Sequence, residues 1–146
     1  MRDADMSDLD ARAVVIGSIV DIVGSFLIGG VFFAVLAATN GDPSAEELDR
    51  IYGGSVSLQL LTLALGLAMT AVGAYVAARL AAKGGERLHA FAVGVVSTVL
   101  GFTVVLAAPE SSPFWSQAAS LILTIPAAFV GGEVRRTIAG QGGSTP

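Results

Sequence analysis

One carboxylate stands where water should be absent. Residues 17 to 30 read GSIVDIVGSFLIGG, and Asp21 interrupts this apolar run with Gly17, Ser18, Gly24 and Ser25 close by. An aspartate at the centre of a membrane helix costs about 2.5 to 3.5 kcal/mol on insertion scales. Hydroxyl donors on neighbouring helices, a wet cavity or a bound cation would compensate. Two kinds of chemistry are therefore open to it. Asp21 is either the titrating or cation-binding site of a small transporter or pore, or a structural hydrogen-bond acceptor that holds a bundle or an oligomer together.

Three further apolar runs carry a matching pattern. Gly17, Asp21 and Gly24 in the first run correspond to Gly66, Thr70 and Gly73 in the second. Gly94, Thr98 and Gly101 follow in the third, and Ser120, Thr124 and Ala127 in the fourth. Each set is spaced i, i+4, i+7, which places its members within about 60° on a 3.6-residue helix. Asp21 and Thr70 lie nine residues from a flanking arginine, Thr98 and Thr124 eleven. At 1.5 Å per residue all four sit roughly 14 to 17 Å deep, near mid-membrane. The expectation is one polar layer of Asp21, Thr70, Thr98 and Thr124 in which the threonines donate to the carboxyl. Gly17, Gly24, Gly66, Gly73, Gly94 and Gly101 would pack the helices around it. Two alternatives stay open: small residues at this spacing also serve close packing alone, and threonine can donate to its own i−4 carbonyl.

Other chemistry is sparse. There is no cysteine, which excludes disulfides and thiolate metal sites. His89, the only histidine, has no partner spacing for a metal and reads as an interfacial residue beside Arg87. No phosphate-cradling glycine loop, nucleophile elbow or histidine pair occurs. No enzyme activity, cofactor or metal is expected. The net charge of -4 argues against nucleic acid as a partner, because phosphates demand a basic face.

The elements that hold these residues follow from hydropathy. Of the 146 residues 53 % are hydrophobic and 14 % charged, and the mean hydropathy is +0.74. The apolar runs at 13–38, 56–78, 88–107 and 114–132 each approach or exceed the ~20 residues that cross a ~30 Å hydrocarbon core. Spanning segments must satisfy their own backbone, so they are helices. The first run is too long, and its leader too acidic, for a cleaved signal peptide. Ser44 with Glu47 forms a capping box for a short surface helix at 44–52. "SDLD" is placed to cap the first span. Pro126 removes a backbone bond inside the fourth, and Gln59 and Gln117 face each other as an interfacial pair or an outer vestibule.

Arg2, Arg12, Arg79, Lys83, Arg87, Arg135 and Arg136 flank one side of the spans, and only Arg50 the other. The positive-inside rule then puts both termini in the cytoplasm. The fold class is an all-α integral membrane four-helix bundle, up-down antiparallel, over residues 13–132. An acidic arm (1–12) precedes it and a disordered tail (133–146) follows.

"VGAYVAARLA", a short basic loop and "LHAFAVGVVSTVLG", with "DIVGSFLIGG" in the first span, resemble an uncharacterised family of small bacterial four-span inner-membrane proteins. The resemblance implies topology and bacterial origin, and no activity. The expected partners are the lipid bilayer and a second copy or another membrane protein. The first functional reading is a non-enzymatic protein, self-associating or accessory to a membrane complex. The second is a proton- or cation-coupled transporter or pore that uses Asp21.

Overall fold

The computed structural model describes residues 9–81, 85–107 and 112–141. The acidic arm up to Asp8, Lys83, Glu110 and the last residues of the tail lie outside them. The described residues are all-α: α1 (Ala11–Thr39), α2 (Ala45–Gly53), α3 (Val56–Leu80), α4 (Glu86–Ala107) and α5 (Phe114–Gln141). Four of these helices are long and apolar enough to cross a membrane. With 29, 25, 22 and 28 residues, α1, α3, α4 and α5 rise roughly 33 to 44 Å. The chain is a multi-pass membrane protein.

Local chemistry sets the helix ends. The Asp10 carboxylate accepts from the Arg12 and Ala13 amides at 2.9 and 3.4 Å and starts α1. Asn40 closes it by donating from its side chain to Leu36 O at 2.8 Å. Gly41 and Asp42 then turn the chain through φ values of 79° and 53°, a region cheap for glycine and tolerated by aspartate. The capping box of α2 is complete: Ser44 Oγ accepts from the Glu47 amide, and Glu47 Oε2 accepts from the Ser44 amide. Tyr52 then anchors α2, its hydroxyl 2.8 Å from Thr62 Oγ1 and its ring against Phe32 and Phe33.

α5 does not end at Gly132 but continues to Gln141. Gly131 and Gly132 are packing positions, not terminators. A methyl on Gly132 would stand 2.6 Å from Ala90 Cβ, and one on Gly131 would collide with Ala71 O. Beyond them Glu133 pairs with Arg136 one turn on and with Arg87 of α4 at 3.1 Å. Both pairs are exposed and add little stability.

Helix α3 packs against α1, α4 and α5. Gly17 lies against Gly73 and Ala77 while Gly24 lies against Met69, so numbering falls along α3 as it rises along α1. Gly94 lies against Ala128 and Gly132 against Ala90, which sets α4 and α5 in opposite directions. Burial is lopsided along these helices. The core is Val14, Ala74, Ala77, Ala90, Val93 and Ala128, all on the side of the chain termini. Beyond Asp21 α1 buries nothing, and beyond Gly94 α4 buries nothing. One half of the molecule is closed by glycine and alanine contacts. In the other, splayed half α1 and α4 bury nothing, and burial among the described residues is confined to Gln59 of α3 and Ser116, Gln117 and Thr124 of α5.

Candidate functional site

Asp21 sits on the boundary between the two halves, only 4 % exposed. Backbone approach places it there. A methyl on Gly73 would lie 2.5 Å from Gly17 O and 2.8 Å from Asp21 Cβ, so α1 and α3 touch because glycine is present. The carboxylate can only accept, and hydroxyls from three helices meet it. Thr70 Oγ1 of α3 donates to Oδ1 at 3.1 Å, Ser25 Oγ of α1 to Oδ1 at 3.4 Å, and Ser97 Oγ of α4 to Oδ2 at 2.5 Å. Thr70 has one hydroxyl proton and shares it with Gly66 O at 3.3 Å, so its bond is three-centred.

The expected layer therefore assembles only in part. Thr70 meets Asp21. Thr98 instead donates to Gly94 O at 2.8 Å, and Thr124 to Ser120 O at 2.7 Å, both within their own helix. Ser97 and Ser25 take their places. Ser25 lies one turn beyond Asp21, where i+4 shares a face. Ser97 is three residues past Gly94 and Thr98 four, and either offset keeps a residue near the same face, so spacing alone did not separate them. Among the glycines, Gly17, Gly73 and Gly94 make close contacts. Gly24 meets only the mobile end of Met69, Gly101 meets Leu121 at an ordinary 3.4 Å, and Gly66 has open space.

That open space is a cavity of about 440 Å³. All four long helices line it. Asp21, Ser25, Thr70 and Ser97 form its polar floor, Gly66 and Gly101 widen it, and Ser120 and Thr124 close the α5 side. A second cavity of about 320 Å³ shares Thr62, Leu63, Gly101, Val104 and Ser120 with the first and reaches Ser112, Ser116 and Gln117 at the start of α5. Among the described residues no lysine, arginine or histidine lines either cavity. Gln59 and Gln117 do not pair. Gln59 Nε2 donates to Tyr52 O and Gly53 O at 3.2 and 2.9 Å, and Gln117 Nε2 donates to Ser112 O at 2.8 Å. Gln117 is part of the vestibule; Gln59 is a buried brace for the end of α2, with Oε1 unpaired.

His89, in the first turn of α4, is fully buried. The Asp10 amide donates to its Nε2 at 2.9 Å, so the ring proton sits on Nδ1 and faces Gly85 O at 2.7 Å. The ring ties the start of α1 to the start of α4. Among the described residues no group of three or more His, Asp or Glu side chains is placed to hold a metal ion.

The geometry defines a class: a multi-pass membrane protein with a half-depth cavity floored by a hydroxyl-bound carboxylate. Compared with family models, curated proteins and solved structures, the chain matches none.

Proposed function

We propose that the protein is a non-enzymatic solute-binding and permeation protein of the inner membrane. In this reading it is an up-down antiparallel four-helix bundle with both termini in the cytoplasm. The Asp21 cavity admits a small solute or cation from the non-cytoplasmic half, and the glycine–alanine half is the closed gate. The observation that carries the reading is the coincidence of boundaries: the cavity reaches the Asp21 carboxylate, and close packing begins at its Cβ, where Gly73 meets Asp21 and Gly17. A carboxylate needed only for assembly gains nothing from 440 Å³ of space beside it.

Asp21→Asn is the test, since asparagine keeps the shape and cannot titrate. In proteoliposomes holding a pH dye, the wild type should show cation-driven proton movement and Asp21→Asn should lose it while retaining its helical content. Equal movement through both would overturn the reading. A second reading is favoured by the hydroxyl bonds that tie Asp21 to α3 and α4: the carboxylate holds the bundle together as part of an accessory or self-associating protein. Failure of Asp21→Asn to assemble, with a wild type that moves no ions, selects that reading.

A further inference from the structure

The cavity has a definite chemical character, and its size suits an organic occupant. A water occupies ≈ 30 Å³ of liquid, so 440 Å³ corresponds to about fifteen waters. It falls within the ≈ 300–1,000 Å³ typical of organic ligand pockets. A bare hard cation needs oxygens on all sides at roughly 2.0 to 2.6 Å. Here, among the described residues, the only carboxylate is Asp21, with Ser25, Thr70 and Ser97 beside it; Thr62, Thr103, Ser120 and Thr124 add scattered hydroxyls, and Leu63, Leu67, Leu100 and Val104 make much of the remaining wall apolar.

The charge is equally one-sided. Asp21 is buried, and among the described residues no base lines the cavity. Hydroxyl dipoles solvate a carboxylate but do not neutralise it, and a buried charge lacking a counter-charge is expensive. Phe26 and Val104 on the cavity wall are 79 % and 62 % exposed, so the wall between α1 and α4 meets the acyl chains. An occupant with one positive charge at its head and an apolar body behind it would match both features. Its N–H groups would donate to Asp21 and to the free lone pairs of the Ser97 and Thr70 hydroxyls.

We infer that the Asp21 cavity binds an amphiphilic organic amine, with the ammonium on the carboxylate and the apolar body against α1 and α4. The inference rests on the reading of the cavity as a binding site and adds its ligand class.

The chain has no native cysteine, so Ser120→Cys, an exposed position on both cavities, can be labelled without background. The protein is placed in nanodiscs and treated with a charged thiol reagent in the presence of phenethylamine or its neutral analogue, phenethyl alcohol. Phenethylamine should slow labelling about tenfold at a concentration roughly ten times its Kd. The alcohol should leave the rate unchanged, and Asp21→Asn should abolish the protection. Equal protection by both probes would overturn the amine assignment and leave a binding cavity in place. Protection by sodium ions with none by the amine would do the same and restore a metal cation. A Ser120→Cys thiol that never reacts would mean a closed cavity, and both readings fall. If Asp21→Asn does not fold, the amine-against-alcohol comparison on Ser120→Cys still decides.

Discussion

Ser97 and Thr98 are neighbours in sequence, yet their hydroxyls have opposite uses. Ser97 Oγ reaches across to Asp21 Oδ2, while Thr98 Oγ1 folds back on Gly94 O. The difference predicts different costs of truncation. Side-chain hydrogen bonds between membrane helices average about 0.6 kcal/mol and reach about 1.7. Ser97→Ala removes the bond that α4 makes to a buried carboxylate and should fall near the upper value. Thr98→Ala loses only a bond within its own helix and should lie within about 0.5 kcal/mol of wild type. Unfolding in mixed micelles, followed by circular dichroism, measures both. Equal losses would mean that Ser97 does not hold Asp21. At this scale Asp21 was legible because a charge in an apolar run has no ordinary explanation. Thr70 was legible because it repeats the spacing. Ser97 was not, because one residue rotates a helix by 100° and two adjacent residues can straddle one face.

At the scale of helices, glycine decides where the backbones touch. Spacing put six glycines on the packing face, but the structure divides them by the space that remains. Gly73→Ala would set a methyl 2.5 Å from Gly17 O, a backbone atom that cannot swing away. The substitution should cost about 1 to 3 kcal/mol, as overpacking does. Gly66→Ala meets nothing within 4 Å and should gain up to about 1 kcal/mol from better helix propensity. The two variants share a helix and a chemistry, so their difference in unfolding midpoint reads tertiary contact alone. Equal effects would mean that α1 and α3 do not approach as described. Element positions were largely legible, since a 20-residue apolar run in a chain this poor in charge has few alternatives. The α2 boundaries were legible from the Ser44–Glu47 capping box. The end of α5 was not: the apolar run stops at 132, while the helix continues to Gln141 past Gly131 and Gly132, which lie against Ala71 and Ala90. The His89 tie was illegible too, since nothing local in the sequence joins it to the Asp10 amide 79 residues away.

For the whole molecule, function depends on which way the splayed half faces. Burial alone gives an axis and no direction. The charges supply the direction: among the described residues Arg12, Arg79, Arg87, Arg135 and Arg136 flank the closed half, and Arg50 alone stands at the other end. If the positive-inside rule holds, the Asp21 cavity opens away from the cytoplasm. Two exposed positions test this. Glu46 lies on α2 beyond the splayed ends, and Gly140 lies near the end of α5 with nothing within 4 Å of an added Cβ. In intact cells expressing single-cysteine variants, a membrane-impermeant maleimide should label Glu46→Cys promptly. Gly140→Cys should stay unlabelled until the membrane is permeabilised. The opposite pattern would turn the cavity toward the cytoplasm, so that solute would enter from inside and the glycine–alanine half would become the outer gate. Labelling of both positions in every cell preparation would indicate two orientations in one membrane. A charge bias of seven to one should prevent that, because each inverted copy would carry seven basic residues across the bilayer instead of one.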